Sequence, residues 1–360
     1  MGGYPRLEPV ERGLWSYRTW HVMGPVRQLV RDGMAEFLPV RGATLPRLIE
    51  QVRPDVFLGA CSRPVDGSVS FGVSTSYAMP AAAAARRVVL EANSRMPFTC
   101  GETAVPVDRV SALIDVDHPL PAHREQPVEP SPEVQRIAEL VRGLLPDGAA
   151  LQTGIGQLSE QVLALIDEDP PADLSFFGMG TDAMVPSLAA GRSRLVGGEL
   201  LGTDLLYDFA DRRPEVSMHP AAAITDVVAA AAVPNLVSLN TAIEIDLRGQ
   251  VNSESVRGVQ VSGVGGGFDF LDASWFSAGG LSILAMTSLA GSRSRIVPRL
   301  QAVDPVTMPR HSVRYVVTEH GAVDLFPLSV AERARALVEL AHPSIRDELA
   351  QSLSARSEVA

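Results

Sequence analysis

The chain has 360 residues, of which 46% are apolar and 20% charged, so it can bury a large core and is long enough for two domains. The formal net charge of −11 argues against nucleic acid and anionic membranes as partners, because both attract basic surfaces. All 31 basic residues are arginine, which excludes chemistry that depends on a lysine, such as pyridoxal phosphate anchoring or P-loop nucleotide binding.

Metal, disulfide and membrane signals are weak. The chain has 2 cysteines, Cys61 and Cys100, which are too few for a disulfide framework or a four-cysteine zinc site, and HExxH, CxxC and GxSxG motifs are missing from the sequence. The start of the chain lacks the apolar core of a signal peptide, and no stretch approaches the roughly 18 apolar residues of a membrane span. We therefore expect a cytoplasmic protein without a metal and without membrane association.

The predicted elements of the N-terminal part come first in chain order. Residues 54–62 (PDVFLGACS) predict a buried strand, and residues 78–94 (AMPAAAAARRVVLEANS) predict a helix. The segment 117–133 contains five prolines and mixed charges, which are incompatible with a regular element. We accordingly predict a linker that separates two domains, with these bounds: N-terminal domain 1–120, linker 121–132, C-terminal domain 133–360.

The C-terminal part alternates strands and helices. Residues 133–145 carry apolar residues at helical spacing, with Ser131 and Pro132 as N-cap and first helical residue. Ser329 with Glu332 predicts a capping box for a later helix, and residues 314–321 are strand-like. Repeated strand and helix units predict α/β domains.

A short strand, a glycine turn and a helix are predicted in succession over residues 149–166. Gly154 and Gly156 form the turn. This layout points backbone N–H groups and a helix N-terminus at a bound anion or a polarised oxygen, so both glycines are candidate donors.

The segment 241–251 (TAIEIDLRGQV) alternates apolar and charged residues. In an extended chain Glu244 and Asp246 share one face. Alternation alone favours a half-exposed edge strand with a solvated charged face. The buried-strand pattern before it and the glycine-rich segment 261–270 (VSGVGGGFDF) after it indicate a functional site instead.

At this point the chain resembles the acetyl-CoA hydrolase/transferase family, which includes acetate, butyrate and 4-hydroxybutyrate CoA-transferases. The resemblance is colinear from about residue 15 to about residue 350 and rests on these motifs: NSRMPFTCGE, LQTGIGQLSEQVL, NTAIEIDLRGQVNSES, SGVGGGFDF, SRIVPRL, RYVVTEHG and ERARALVELAHPSIRDEL. It implies two open α/β domains of the CoA-transferase type with the active site between them. It also implies that Glu244 is a nucleophile that forms a glutamyl-CoA thioester, with coenzyme A bound as part of the acyl-CoA substrate and a small carboxylic acid as the second substrate.

Other candidate site residues surround this glutamate. Gly265 and Gly266, in the segment that matches the family's GVGG motif, would let backbone donors approach the thioester oxygen. Asp246 is expected to shape the strand end, and Asn252 to orient the acyl group. Basic residues are expected to contact the phosphates of coenzyme A, although a solvated arginine face is an equally plausible assignment for them: Arg293, Arg295 and Arg310.

Two departures from the family pattern keep alternatives open. The segment 175–184 (SFFGMGTDAM) lacks the polarity that relatives show there, and a strand and helix that usually come first in the family have no counterpart. The alternatives to a CoA-transferase are an acyl-CoA hydrolase on the same scaffold and a non-catalytic CoA-binding or partner subunit. We also expect a homo-oligomer, or a partner chain that replaces the first strand and helix.

Overall fold

The structure of the protein is a computed structural model that describes residues 13–24, 26–123 and 129–354. Residues 124–128 of the predicted linker lie outside the described residues. The elements before the linker are β1 (Tyr17–Thr19), α1 (Val26–Arg31), β2 (Ala35–Phe37), α2 (Leu45–Val52), β3 (Val56–Cys61), β4 (Ser68–Ser70), α3 (Ala78–Ala84), β5 (Arg87–Asn93), β6 (Cys100–Gly101), β7 (Ala104–Pro106) and β8 (Ala112–Val116).

The elements after the linker alternate strand and helix, as the sequence predicts. Strands β9 to β15 and the helices between them are α4 (Pro132–Leu144), β9 (Ala150–Thr153), α5 (Gln157–Glu168), β10 (Ser175–Gly180), α6 (Val185–Ala189), β11 (Leu195–Leu200), α7 (Asp204–Ala210), β12 (Val216–Met218), α8 (Ala221–Ile224), α9 (Val227–Ala231), β13 (Leu236–Asn240), β14 (Glu244–Asp246) and β15 (Val251–Asn252). The remaining elements are β16 (Ser255–Val256), β17 (Val259–Gln260), α10 (Gly267–Phe276), β18 (Leu281–Ala285), β19 (Leu289–Ala290), β20 (Arg293–Ser294), β21 (Ile296–Val297), β22 (Tyr315–Thr318), β23 (Gly321–Asp324), α11 (Val330–Leu340) and α12 (Arg346–Ser354).

The N-terminal part contains a parallel sheet in the order β3-β5-β8. The predicted helix over residues 78–94 is wrong in its second half, because only Ala78–Ala84 is helical and Arg87–Asn93 is the central strand. Residues 87–93 form a strand because they pair with β3 on one side and β8 on the other. β-branched residues such as Val88 and Val89 favour a sheet when neighbouring strands are available.

One face of this sheet lacks the cover that parallel sheets usually have. Val56, Leu58 and Ile114 are 45%, 73% and 53% exposed and share this face. The prediction of a buried strand over residues 54–62 is therefore wrong for this face. The opposite face packs into a small core with Phe71 and Ala82.

The C-terminal part is built on a larger sheet, which in the described residues has nine strands in the order β23-β22-β18-β13-β9-β10-β11-β12-β6. Neighbours are parallel except β22 with β23. The edge strand β6 comes from before the linker, so the N-terminal part extends the sheet of the C-terminal part. The division at residues 121–132 stays a prediction.

Helices cover both faces of this sheet. Along β13, Val237 and Leu239 face the core formed with α4 and α5, whereas Leu236 faces α10 on the other side. Strand β18 alternates in the same way: Ile283 belongs to the first core and Leu284 to the core beneath α10 and α11. A parallel sheet buried on both faces is the mark of an α/β protein, which confirms the predicted fold class.

Local capping signals in the sequence are confirmed. Helix α4 begins after Ser131, whose hydroxyl accepts a hydrogen bond from Val134 N–H, and Pro132 is its first residue. Helix α11 begins with the complete capping box of Ser329 and Glu332. Within the described part of the chain, no helix combines the length and the apolar character needed to cross a bilayer.

Candidate active site

Glu244 is the first residue of β14, a short strand that follows β13 in the chain. Strand β14 is the middle strand of a small sheet, with β15 antiparallel on one side and β21 parallel on the other. Glu244 is 7% exposed and Asp246 is 1% exposed. The half-exposed edge strand that alternation favours is therefore not what forms, because strand pairing and packing bury both faces.

The surroundings of Glu244 have opposite effects on the pKa of its carboxyl. Burial raises the pKa of its carboxyl above the usual range, and the negative charge of Asp304 adds to that rise. The Arg293 guanidinium, whose Nη2 lies 3.4 Å from Glu244 Oε1, acts in the other direction and lowers the pKa. The result is a buried carboxyl whose ionisation is favoured by three arginines, of which Arg293 has the largest effect and Arg257 and Arg295 have smaller ones.

Arg295 supports the backbone beside this carboxyl. Its Nη1 donates to the carbonyl of Ala242 at 2.8 Å, and its pKa is lowered by burial and by the charge of Arg293. Arg295 is thus held by the segment that leads into β14. Arg310 is exposed beside the turn at Gly249, and its carbonyl accepts a hydrogen bond from Arg333. Of the three predicted phosphate contacts, only Arg293 and Arg295 are brought together.

Asp246 and Asn252 organise the turn and loop around Glu244. Asp246 Oδ1 accepts from the N–H groups of Arg248 and Gln250, which closes the tight turn after β14. Asn252 is fully buried, and its Oδ1 accepts from the N–H groups of Glu254 and Ser255. Since these contacts occupy the Asn252 side chain, we assign it to the loop and not to an acyl group.

Asn240 joins the two glycine segments. A Cβ on Gly154 would lie 3.1 Å from Asn240 Oδ1, and a Cβ on Gly267 would lie 3.2 Å from the same atom. Both positions therefore need glycine. The N–H of Gly154 donates to the carbonyl of Leu239, so this donor is already used. Gly156 is the N-cap of α5, in a positive-φ conformation, φ 117°.

Gly265 and Gly266 lie at the start of α10. Gly265 has φ 66° and open space around its Cα, and Gly266 is the N-cap residue of the helix. Met308 connects this helix start to the strands beside Glu244: its Cε lies 3.5 Å from the position of a Cβ on Gly267, and its carbonyl accepts from Val251. The glycine loop and the buried glutamate therefore belong to one packed unit.

Some residues of this unit were missed by sequence reasoning. Glu254 is buried and bridges two segments, because Thr307 Oγ1 donates to its Oε1 and Gln260 Nε2 donates to its Oε2. Asp304 accepts from Ser255 Oγ at 2.6 Å. Thr307 lies 53 residues from Glu254, and Ser255 lies 49 residues from Asp304, and single acidic residues in loops carry no pattern that predicts such contacts.

A cavity of about 560 Å³ lies elsewhere, between the ends of β3 and β5 and the end of α7. Its lining includes Arg63, Arg95 and Arg212, but also the carboxylates Asp117 and Asp211. Its lining shares no residue with the surroundings of Glu244, so the cavity and the buried carboxyl are separate places in the fold.

Comparison with known proteins places the chain in a family. The family model for the acetyl-CoA hydrolase/transferase C-terminal domain matches residues 202–353. The 4-hydroxybutyrate coenzyme A transferase of Clostridium kluyveri is 35% identical over 95% of this chain and 82% of its own length. The butyryl-CoA:acetate CoA-transferase of Anaerostipes caccae is 31% identical over 95% of this chain and 81% of its own length.

Solved structures agree with this assignment. The crystal structure of RipA from Yersinia pestis has a TM-score of 0.90 and 32% identity, and the match covers 98% of this chain and 84% of RipA. The resemblance that the sequence motifs carry is thereby confirmed, together with the CoA-transferase type of fold. The chain belongs to the acetyl-CoA hydrolase/transferase family.

Proposed function

We propose that this protein moves coenzyme A between an acyl-CoA and a small carboxylate through a glutamyl-CoA thioester on Glu244. The observation that carries the proposal is the buried Glu244 carboxyl with Arg293 at 3.4 Å, in one packed unit with the glycine loop. Family membership supports the transfer of coenzyme A, since relatives at 31–35% identity are named as CoA-transferases.

The proposed reaction divides one exchange into steps that each break one bond. A carboxylate oxygen of Glu244 attacks the thioester carbonyl, the C–S bond breaks, and the CoA thiolate leaves behind a mixed anhydride. The thiolate then attacks the glutamyl carbonyl, and the C–O bond breaks to release the first carboxylate. A second carboxylate repeats these steps in reverse and leaves as its own CoA thioester.

Each attack creates an oxyanion, which needs donors already in place. The N–H groups of Gly265 and Gly266 are our candidates, because the loop is free of side chains and begins a helix, whose N-terminal end carries partial positive charge. One such donor contributes about 2.7–4 kcal/mol to the chemical step in studied enzymes. Gly156 at the start of α5 is a second candidate, whereas Gly154 is not, because its N–H already binds Leu239.

Arginine supplies the positive charge that an anionic substrate needs. Arg293 is 33% exposed at the side chain, so it can contact both Glu244 and an incoming carboxylate or phosphate. Arg310 is exposed and is our candidate for a phosphate of coenzyme A. Arg295 is held by the Ala242 carbonyl, and we assign it to support of the strand.

An assay of products separates transfer from hydrolysis. The protein is incubated with butyryl-CoA, with and without acetate, and the CoA products are separated by chromatography. The proposal predicts acetyl-CoA only when acetate is present and little free CoA without it. Free CoA and butyrate at the same rate in both reactions would identify a hydrolase, and no turnover with any short-chain acyl-CoA would contradict both activities.

A further inference from the structure

The N-terminal part of the chain contacts the start of α10 through residues 41–43. The N–H of Gly42 donates to the carbonyl of Gly265 at 2.9 Å, and Arg41 forms an isolated parallel bridge with Gly265. The N–H of Ala43 donates to Asp269 Oδ2 at 3.0 Å. One hydrogen bond and a bridge therefore join a loop from before the linker to the glycine loop that the proposed function uses, and a second hydrogen bond joins it to the first turn of α10.

The Arg41 side chain is enclosed by helix α10. Its Nε donates to Asp269 Oδ1, its Nη2 lies 3.8 Å from Asp272, and its guanidinium carbon stands 4.5 Å above the ring of Phe268. These three side chains belong to the first two turns of the helix. A planar guanidinium can satisfy a carboxylate and stack on an aromatic ring at the same time, which a lysine cannot do.

Asp269 is a fully buried carboxyl at the third residue of α10. Burial raises its pKa, while the Ala43 N–H and Arg41 act in the opposite direction and favour the charged form. A carboxylate at this position usually caps its own helix, but here it turns to the loop of residues 41–43. Removing Arg41 would therefore leave a buried charge with one backbone donor.

At Gly42 the loop of residues 41–43 packs closely against the start of α10. A Cβ at this position would lie 3.2 Å from Gly266 Cα, 3.1 Å from Asp269 Oδ2 and 3.2 Å from the Tyr77 hydroxyl. By contrast, a Cβ on Gly265 would meet nothing within 4 Å. The Gly42 N–H therefore holds the carbonyl of Gly265 at a place where the Cα of Gly265 faces open space.

We propose that Arg41, Gly42 and Asp269 form a clamp that positions the Gly265 and Gly266 N–H groups for the chemical step. They are positioning residues, because they act through the glycine loop and contact no reacting atom. The inference rests on the proposed function for its kinetic consequence. Its structural part, that the clamp holds the loop, stands independently of the reaction.

The test combines hydrogen exchange with single-turnover kinetics in the full-length protein. In Arg41→Ala, amide exchange in the peptide covering residues 263–270 is expected to be about tenfold faster, as for a segment that has lost its tertiary contacts. Formation of the covalent adduct from butyryl-CoA is expected to be about 10- to 100-fold slower, because a displacement near 1 Å has that effect, with the concentration for half-maximal rate unchanged.

Two further variants test Gly42 and the planar guanidinium of Arg41 separately, and one control tests loss of an unrelated ion pair. Gly42→Ala should slow adduct formation while keeping the ion pair, and Arg41→Lys should recover only part of the rate because it lacks the planar group. The control is Arg346→Ala, which breaks an ion pair with Glu339 on α11. Arg346 has the same 30% side-chain exposure as Arg41. This variant should lower the melting temperature without changing exchange in residues 263–270 or the rate.

The outcomes separate this inference from the proposed function. Unchanged exchange in residues 263–270 of Arg41→Ala would overturn the clamp, whether or not Glu244 reacts. Faster exchange with an unchanged rate of adduct formation would overturn its kinetic role. If the wild-type protein forms no adduct with any acyl-CoA, the proposed function fails, and with it the kinetic role, while the exchange result still decides whether the clamp holds the loop.

Discussion

Removal of Arg293 should make the ionisation of Glu244 harder and move the acidic limb of activity to higher pH. In the proposed reaction Glu244 acts as the carboxylate, so activity is present above its pKa and is lost as pH falls through it. Burial raises that pKa and Arg293 lowers it. Arg293→Ala removes the lowering contribution, so activity is lost at a higher pH than in the wild type.

The separation of 3.4 Å between Arg293 Nη2 and Glu244 Oε1 sets the size of the effect. Coulomb's law gives about 1 kcal/mol at a dielectric constant of about 80 and about 5 kcal/mol at an effective value of about 20. Because the Arg293 side chain is 33% exposed, screening keeps the energy near the lower limit, about 1–2 kcal/mol. An energy of about 1.4 kcal/mol changes the ionisation constant about tenfold.

The assay is the single-turnover rate of adduct formation from butyryl-CoA, measured across pH. At saturating butyryl-CoA and well below the wild-type midpoint, Arg293→Ala should be about tenfold slower, and the two rates should converge on the high-pH plateau. Arg293→Lys should fall between them. Arg192→Ala, which removes an ion pair with Asp167 elsewhere, is the control and should leave the profile unchanged. An acidic limb that stays in place or moves to lower pH in Arg293→Ala would refute the electrostatic reasoning.

Three further predictions concern stability. Gly101→Ala places a Cβ 2.2 Å from the Met218 carbonyl oxygen at φ 100°, so it should lower the melting temperature far more than Gly67→Ala, a positive-φ control with open space. Ser329→Ala should cost about 1 kcal/mol in urea unfolding with activity unchanged, since only the cap of α11 is lost. Burial raises the pKa of Glu199 to about 7, so the folded state binds the Glu199 proton more tightly than the unfolded state does. The free energy of unfolding therefore decreases as the pH rises from about 4.5 to about 7. Glu199→Gln should remove up to about 3 kcal/mol of that fall, an upper limit because the side chain keeps some solvent contact; equal pH dependence in both proteins would count against this assignment.

Sequence reasoning succeeded where the signal is local. Helices α4 and α11 begin where Ser131 and Ser329 predict, because an N-cap acts through residues two or three positions away. The strand, turn and helix around Gly154 are likewise encoded within one short segment. These elements carry their own start and stop signals, so a single sequence is sufficient to locate them.

It failed where distant partners decide the structure. The alanine-rich segment 78–94 has local helix propensity, but strands β3 and β8 on either side draw its second half into a sheet. The alternation around Glu244 predicts a solvated face, yet pairing with β15 and β21 buries it. The clamp of Arg41 and Asp269 joins residues 228 positions apart, and neither residue lies in a pattern that marks it.

In the candidate site, too, some features could be predicted from the sequence and others could not. Glu244, Gly265 and Gly266 were predicted from the family motifs, and Gly154 and Gly156 from the strand, turn and helix pattern around them. The roles of the surrounding polar residues could not be inferred in this way. Asn252 was expected to orient an acyl group, whereas its hydrogen bonds lead us to propose that it holds the following loop. Arg295 was expected to bind phosphate, whereas its hydrogen bond to the Ala242 carbonyl leads us to propose that it supports the backbone there.

The most direct test of the central claim is the detection of the covalent adduct on Glu244. The protein is incubated with butyryl-CoA and analysed by intact mass spectrometry, then reduced with borohydride and mapped by peptide, with Glu244→Gln treated in parallel. We expect a CoA adduct in the wild type, reduction to an alcohol at residue 244, and neither in the variant. A protein that turns over butyryl-CoA with no adduct at residue 244, or an adduct that persists in Glu244→Gln, would contradict it.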